Sequence, residues 1–157
     1  MKFEIAIDDL SDGGVVELLS LHRKEMSKYS PPESIHALDV AALQSTEITF
    51  WSARRDGVVV ACGALKELSS IAGELKSMKT RTEFLRKGLG RNLLKVILDE
   101  AGSRGYRTVS LETGTDSAFN PAVALYEHYG FVECPPFGEY MRDPYSRFYT
   151  KRLAGSA

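Results

Sequence analysis

The residues best suited to chemistry lie together in Leu85-Arg86-Lys87-Gly88-Leu89-Gly90-Arg91. Two glycines let a backbone approach a ligand closely. Three cations, Arg86, Lys87 and Arg91, crowd the same stretch. After it, up to Arg104, Leu89, Leu93, Leu94, Ile97, Leu98 and Ala101 recur at helical spacing, with charges largely opposite. Before it, Glu74 to Thr80 reads as a strand. A strand feeding a glycine loop that opens a helix suits phosphate, because the first N–H groups of the helix lack partners and carry the positive end of its dipole. Two phosphate motifs are excluded. A Walker loop needs Gly-Lys followed by Ser or Thr, and Gly88 is followed by Leu89. A dinucleotide fingerprint needs a third glycine where Leu93 stands. A pyrophosphate of another kind remains, beside the plainer reading of a helix start with surface cations.

The loop must be held by a scaffold, and the rest of the chain supplies one. Phe3 to Asp8 alternates as a first strand. Residues 12–27 carry Val15, Leu18, Leu19 and Met26 on a helical face, capped by Ser11 or Asp12. Pro31-Pro32 breaks that helix, and Glu33 to Gln44 reads as a second one. Thr46 to Arg55 and Val58 to Leu65 form a hairpin about Asp56-Gly57. A third strand runs from about Gly73 to Thr80. After the long helix, Gly105 ends the turn, Thr108 to Glu112 is a short buried strand, and Pro121 to Tyr129 is a helix stopped by Gly130. Strands begin at Phe131 and near Phe148 to Leu153. The order β-α-α-β-β-β-α-β-α-β-β makes a mixed sheet with helices on it.

Composition bounds the function. The chain has 157 residues, a hydrophobic fraction of 43% and a net charge of −1. That charge argues against bulk attraction to nucleic acid or to an anionic membrane, so phosphate recognition must be local. The N-terminus lacks the apolar run of a signal peptide, and no run reaches the length of a membrane span. The expectation is one domain over residues 1–157, in the cytoplasm. Cys62 and Cys134 have no CxxC spacing and read as free thiols. His22, His36 and His128 are scattered, so no metal is expected.

At this point the chain resembles the GNAT N-acetyltransferase family. Their acetyl-CoA loop has the pattern Arg/Gln-x-x-Gly-x-Gly/Ala between a strand and a long helix, and Lys87-Gly88-Leu89-Gly90-Arg91 fits its second half. A second signature appears in Ala124-Leu125-Tyr126-Glu127-His128-Tyr129-Gly130-Phe131, an apolar helix with a Leu-Tyr pair and a following Gly-Phe. Segments Ser30 to Asp39 and Glu74 to Met78 look like a bacterial branch. There are two departures. Leu85 stands in the Arg/Gln position, with Arg86 one residue later. Phe119 stands where an Asn is common, and Asn120 follows.

The resemblance implies an α/β (α+β) fold, with a mixed sheet of about seven strands flanked by about four helices. It implies acetyl-CoA as co-substrate, and an amine that attacks the thioester directly. The backbone of Met78, Lys79 and Thr80 and the residues Arg86, Lys87, Gly88, Leu89, Gly90, Arg91 and Asn120 would then bind acetyl-CoA. Tyr126 would protonate the leaving thiolate, unless it serves packing only. Glu74 would act as base, unless it is a solvent-facing carboxylate; period-2 alternation puts it on one face with Lys76 and Met78. His36 is a second base candidate. Tyr29, Glu33, His36, Trp51, Tyr140 and Arg142 are the candidate acceptor-site residues, although Trp51 also reads as core. Arg142 could pair the carboxylate of an amino-acid acceptor. A small-molecule amine or a peptide lysine would fit as well. Homodimers are common in the family. The rival reading is a non-catalytic acyl-CoA-binding domain of the same fold.

Overall fold

The computed structural model describes residues 2–26 and 40–153. Seven strands form one mixed sheet in the order β1-β2-β3-β4-β5-β7-β6. They are β1 (Glu4–Ile7), β2 (Ile48–Arg55), β3 (Val58–Ser69), β4 (Ala72–Thr80), β5 (Thr108–Gly114), β6 (Val132–Glu133) and β7 (Ser146–Arg152). The helices are α1 (Gly14–Met26), the single turn α2 (Val40–Leu43), α3 (Leu89–Ser103) and α4 (Asn120–His128). The second helix expected from Glu33 lies largely outside the described residues. Short 3₁₀ turns at Thr82–Phe84 and Ser117–Phe119 lead into α3 and α4.

Two apolar layers sandwich the sheet. On one face α3 and α4 bury Leu89, Leu93, Leu94, Ile97, Val123 and Phe131 against Leu65, Leu75, Val109, Leu111 and Tyr149. On the other, α1 buries Val15, Leu18 and Leu19 against Val59, Cys62 and Ala64. The long amphipathic stretch from Leu89 is helical because its apolar stripe has this face to cover. No described helix is long and apolar enough to cross a membrane.

All neighbouring strands are antiparallel except β4 and β5. These two are parallel and pair only at Ala72↔Thr108, Gly73↔Val109 and Glu74↔Ser110. Beyond Glu74, β4 continues along β3, while β5 continues along β7 to Gly114. The sheet therefore splits between them, and Glu74 stands at the vertex.

Candidate active site

Strand β4 carries a bulge. Two of its residues, Ser77 and Met78, oppose the single Gly63 of β3, where the register shifts between Cys62↔Lys79 and Ala64↔Lys76. Ser77 takes a left-handed φ of 55°, and the Cys62 thiol donates to its carbonyl at 3.3 Å. An extra residue reverses the alternation of everything beyond it. Lys76 lies opposite Ala64, on the α1 face, as does Glu74 two residues earlier. Met78 instead packs with the α3 layer, where a Cβ on Gly63 would collide with its sulfur. The expectation that Met78 shares a face with Glu74 and Lys76 is thus corrected: the bulge turns it over. Past the vertex, the edge of β4 that includes Met78, Lys79 and Thr80 has no strand partner on the β5 side.

On the α3 face, Gly88 caps α3 with φ 80° and no side-chain cap. The first helical bond runs from the Asn92 N–H to the Gly88 carbonyl at 3.0 Å, so earlier N–H groups of α3 have no intrahelical acceptor. Arg86 also adopts a left-handed φ, 64°. Arg86, Lys87 and Arg91 are exposed and form no ion pair among the described residues. Leu85 is 52% exposed. The start of α3 abuts α4: a Cβ at Gly90 would sit 3.7 Å from Leu125. These features fit the pyrophosphate of acetyl-CoA: unpaired N–H donors, surrounding cations, and a glycine backbone open to approach.

Helix α4 sets Tyr126 into the α3-face core, 8% exposed, edge-on to Phe131 with ring centroids 5.7 Å apart. No hydrogen bond among the described residues reaches its hydroxyl, and burial pushes the phenol up to about 12. Asn120 begins α4 and accepts from Arg147 at 3.3 Å. Phe119, in the position where the family often has Asn, packs on Gly114, which leaves no room for a Cβ there.

The α1 face at the vertex is polar. Glu74 is not a solvent-facing strand carboxylate: its side chain is 4% exposed, and that of Lys76 8%. The Lys76 ammonium donates to Glu74 Oε2 at 2.9 Å and to the Tyr140 hydroxyl at 2.9 Å. Tyr140 donates to the same Oε2 at 2.6 Å. Burial, and then the Glu74 charge, push the Tyr140 phenol well above its usual range. Tyr140 reaches this place from the β6–β7 loop, its ring against Phe137 and Phe148 at 5.2 and 5.5 Å. Phe148 also lines a cavity of about 330 Å³ with Cys134, Arg142, Asp143 and Ser146.

Among the expected acceptor residues, the structure thus gathers Tyr140 near Glu74 and sets Arg142 in the adjoining cavity. Trp51 does not join them. It is 4% exposed in the core on the α3 face, across the sheet. Tyr29, Glu33 and His36 lie outside the described residues. Lys76 was missed as a functional candidate. Its signal was a Glu-x-Lys pair on one face of the strand from Gly73 to Thr80.

A family model described as the acetyltransferase (GNAT) family matches residues 15–131. The chain belongs to that family. It is accordingly an acyltransferase. Uncharacterized N-acetyltransferase YsnE of Bacillus subtilis is 50% identical over 95% of this chain and 99% of its own length. A protein named IAA acetyltransferase from Azospirillum brasilense is 37% identical over 95% of this chain and 97% of its own. A Klebsiella pneumoniae structure provisionally named an acyl-CoA N-acyltransferase superposes with a TM-score of 0.83 at 26% identity, covering 96% of this chain and 97% of that one. A GNAT acetyltransferase from Elizabethkingia anophelis, solved with acetyl-CoA bound, has the same fold at 18% identity, with a TM-score of 0.69 and coverage of 96% and 98%.

Proposed function

We propose that this enzyme moves the acetyl group of acetyl-CoA to the nitrogen of a primary amine while both substrates are bound. The observation that carries this reading is the split sheet. The phosphate-binding loop and Tyr126 lie on its α3 face, and Glu74 lies at the vertex on the α1 face. A thioester laid in the split would be open to an amine arriving from the other side, so no acyl-enzyme is required.

Each residue then has a task. The α3 start and its cations hold the pyrophosphate. Backbone N–H groups of β4 near Met78 to Thr80, where the strand has left β5, polarise the thioester carbonyl. A free ammonium has a pKa of about 10 and must lose a proton before it attacks; Glu74 accepts it, directly or through water. The Tyr126 hydroxyl, protonated throughout the working range and without a hydrogen-bond partner among the described residues, supplies a proton to the departing thiolate. That unused phenol favours an enzyme over a non-catalytic acyl-CoA-binding domain. Small amines and amino acids are the preferred acceptors, because Arg142 in the cavity beside Phe148 can pair a carboxylate.

The test is release of free thiol from acetyl-CoA across a panel of amino acids, polyamines, aminoglycosides and lysine peptides. Acceptor-dependent release by at least one class is expected. Tight acetyl-CoA binding with no release across the panel would instead favour the binding-domain reading.

A further inference from the structure

The Glu74–Lys76–Tyr140 cluster has a geometry that a merely structural ion pair does not require. Both donors converge on a single oxygen, Oε2 of Glu74. The other oxygen, Oε1, has no partner among the described residues. Glu74 is the last residue of β4 paired to β5, so that free oxygen belongs to the carboxylate at the vertex of the split. We propose that Lys76 and Tyr140 are positioning residues. They fix the Glu74 carboxylate at the vertex and compensate its charge through Oε2, leaving Oε1 to take the acceptor's proton. The inference rests on Glu74 being the base, as proposed above.

The physical reason is the cost of a lone buried carboxylate. Burial disfavours the charged form, whereas an adjacent ammonium and a phenol donor favour it. An ion pair two residues apart on one strand face is short enough to be rigid, and Tyr140 closes it from the opposite side. The Tyr140 ring is itself packed on both Phe137 and Phe148, which also touch each other, so the hydroxyl cannot drift from the pair without breaking aromatic contacts. Other charged groups also face this place. Lys66 on β3 pairs with Glu74 in the strand register. Glu112 on β5 acts on Tyr140 and accepts from Ser146 at 2.8 Å. Residues 27–39 lie outside the described structure. Only Lys76 and Tyr140 meet Glu74 at hydrogen-bond distance among the described side chains.

The experiment is a profile of kcat/KM against pH, with one active acceptor, for the parent and for Glu74→Gln, Lys76→Met, Lys76→Arg and Tyr140→Phe. Acetyl-CoA affinity is measured in parallel. The acid limb of such a profile reports the free enzyme's base. Losing a hydrogen bond to a charged group corresponds to roughly one to two pH units. Lys76→Met should therefore move the acid limb up by that amount, with a ten- to hundredfold loss near its foot and recovery at high pH. Tyr140→Phe should move it the same way by less, and Lys76→Arg should hold it near the parent. Acetyl-CoA affinity should not change in any of them, since its loop lies on the other face. If Lys76→Met does not fold, Tyr140→Phe carries the test, because it keeps the ring in its aromatic contacts. If Glu74→Gln removes the acid limb but the Lys76 and Tyr140 variants leave it in place, the positioning inference is wrong and the base assignment stands. If Glu74→Gln itself leaves the profile unchanged, both are wrong.

Discussion

Two glycines in the proposed acetyl-CoA loop should respond to the same substitution with opposite signs. Gly88 sits at φ 80°, and a Cβ there meets nothing closer than Arg91 at 3.8 Å. Space is not its problem; backbone conformation is. A left-handed conformation costs a non-glycine residue about 1–2 kcal/mol. Gly90 lies in the first turn of α3 with no such φ, and its Cβ would touch Leu125 at an ordinary 3.7 Å. There alanine relieves the entropic cost of glycine in a helix, about 0.5–1 kcal/mol. At this size 1 kcal/mol shifts the melting temperature by roughly 2–4 °C. Gly88→Ala should lower it by about 2–8 °C, and Gly90→Ala should raise it by about 1–4 °C. The assay is thermal unfolding with and without acetyl-CoA. At a hundredfold excess over Kd the ligand should add about 2.7 kcal/mol of stability. That shift should persist in Gly90→Ala and vanish in Gly90→Leu, whose side chain would fill the backbone's approach to the phosphates. Equal losses of stability in Gly88→Ala and Gly90→Ala would refute the reasoning. So would an acetyl-CoA shift that survives Gly90→Leu.

Tyr126→Phe should slow transfer by about 10²–10⁴-fold and leave acetyl-CoA affinity and thermal stability near the parent's, since no partner among the described residues loses a bond; equal rates at saturating substrate would make it a packing residue. Because burial raises that phenol to about 12, the parent's rate should show no loss from its ionisation below about pH 11, and a basic limb near 10 that disappears in Tyr126→Phe would contradict this. Arg86→Ala should weaken acetyl-CoA binding roughly ten- to hundredfold, through loss of charge-assisted bonds of about 1.5–3 kcal/mol, and by less at high salt. Titrations beside Leu85→Ala decide it: a silent Arg86→Ala with a damaging Leu85→Ala would shift the register of the loop by one residue.

The elements themselves were legible because their signals are local. The stripe Leu89, Leu93, Leu94, Ile97 and Ala101 predicted a helix face, and all five are buried on α3. Asp56-Gly57 predicted the hairpin, and both residues take the positive φ such a turn needs. The glycine loop that opens this helix was equally readable, and the structure makes Gly88 its cap. What alternation could not give was the face of Met78, because one inserted residue at Ser77 inverts the count. Gly63 on the partner strand was the available clue, since a glycine inside a strand pattern often marks a bulge. The split between β4 and β5 has no local signal, as both strands read as ordinary β sequence along their whole length. The tie from Tyr140 to Glu74 spans 66 residues, and no local pattern announces a contact that only the folded sheet creates. Trp51 illustrates the reverse: its type suits a binding site, but its place in the strand pairing turns it into the α3-face layer.

The split sheet also has a consequence for how such an enzyme diversifies. On the proposed reading, the donor's end is assembled from the β4 edge, the α3 start and α4, whereas the acceptor's end borrows Tyr140 and the cavity beside it from the β6–β7 loop. Replacement of that loop can change which amine is modified while the acetyl source stays the same. A library confined to residues 134–145, with Tyr140 kept, therefore samples new acceptors on a constant engine, and selectivity can evolve there without renegotiating the chemistry.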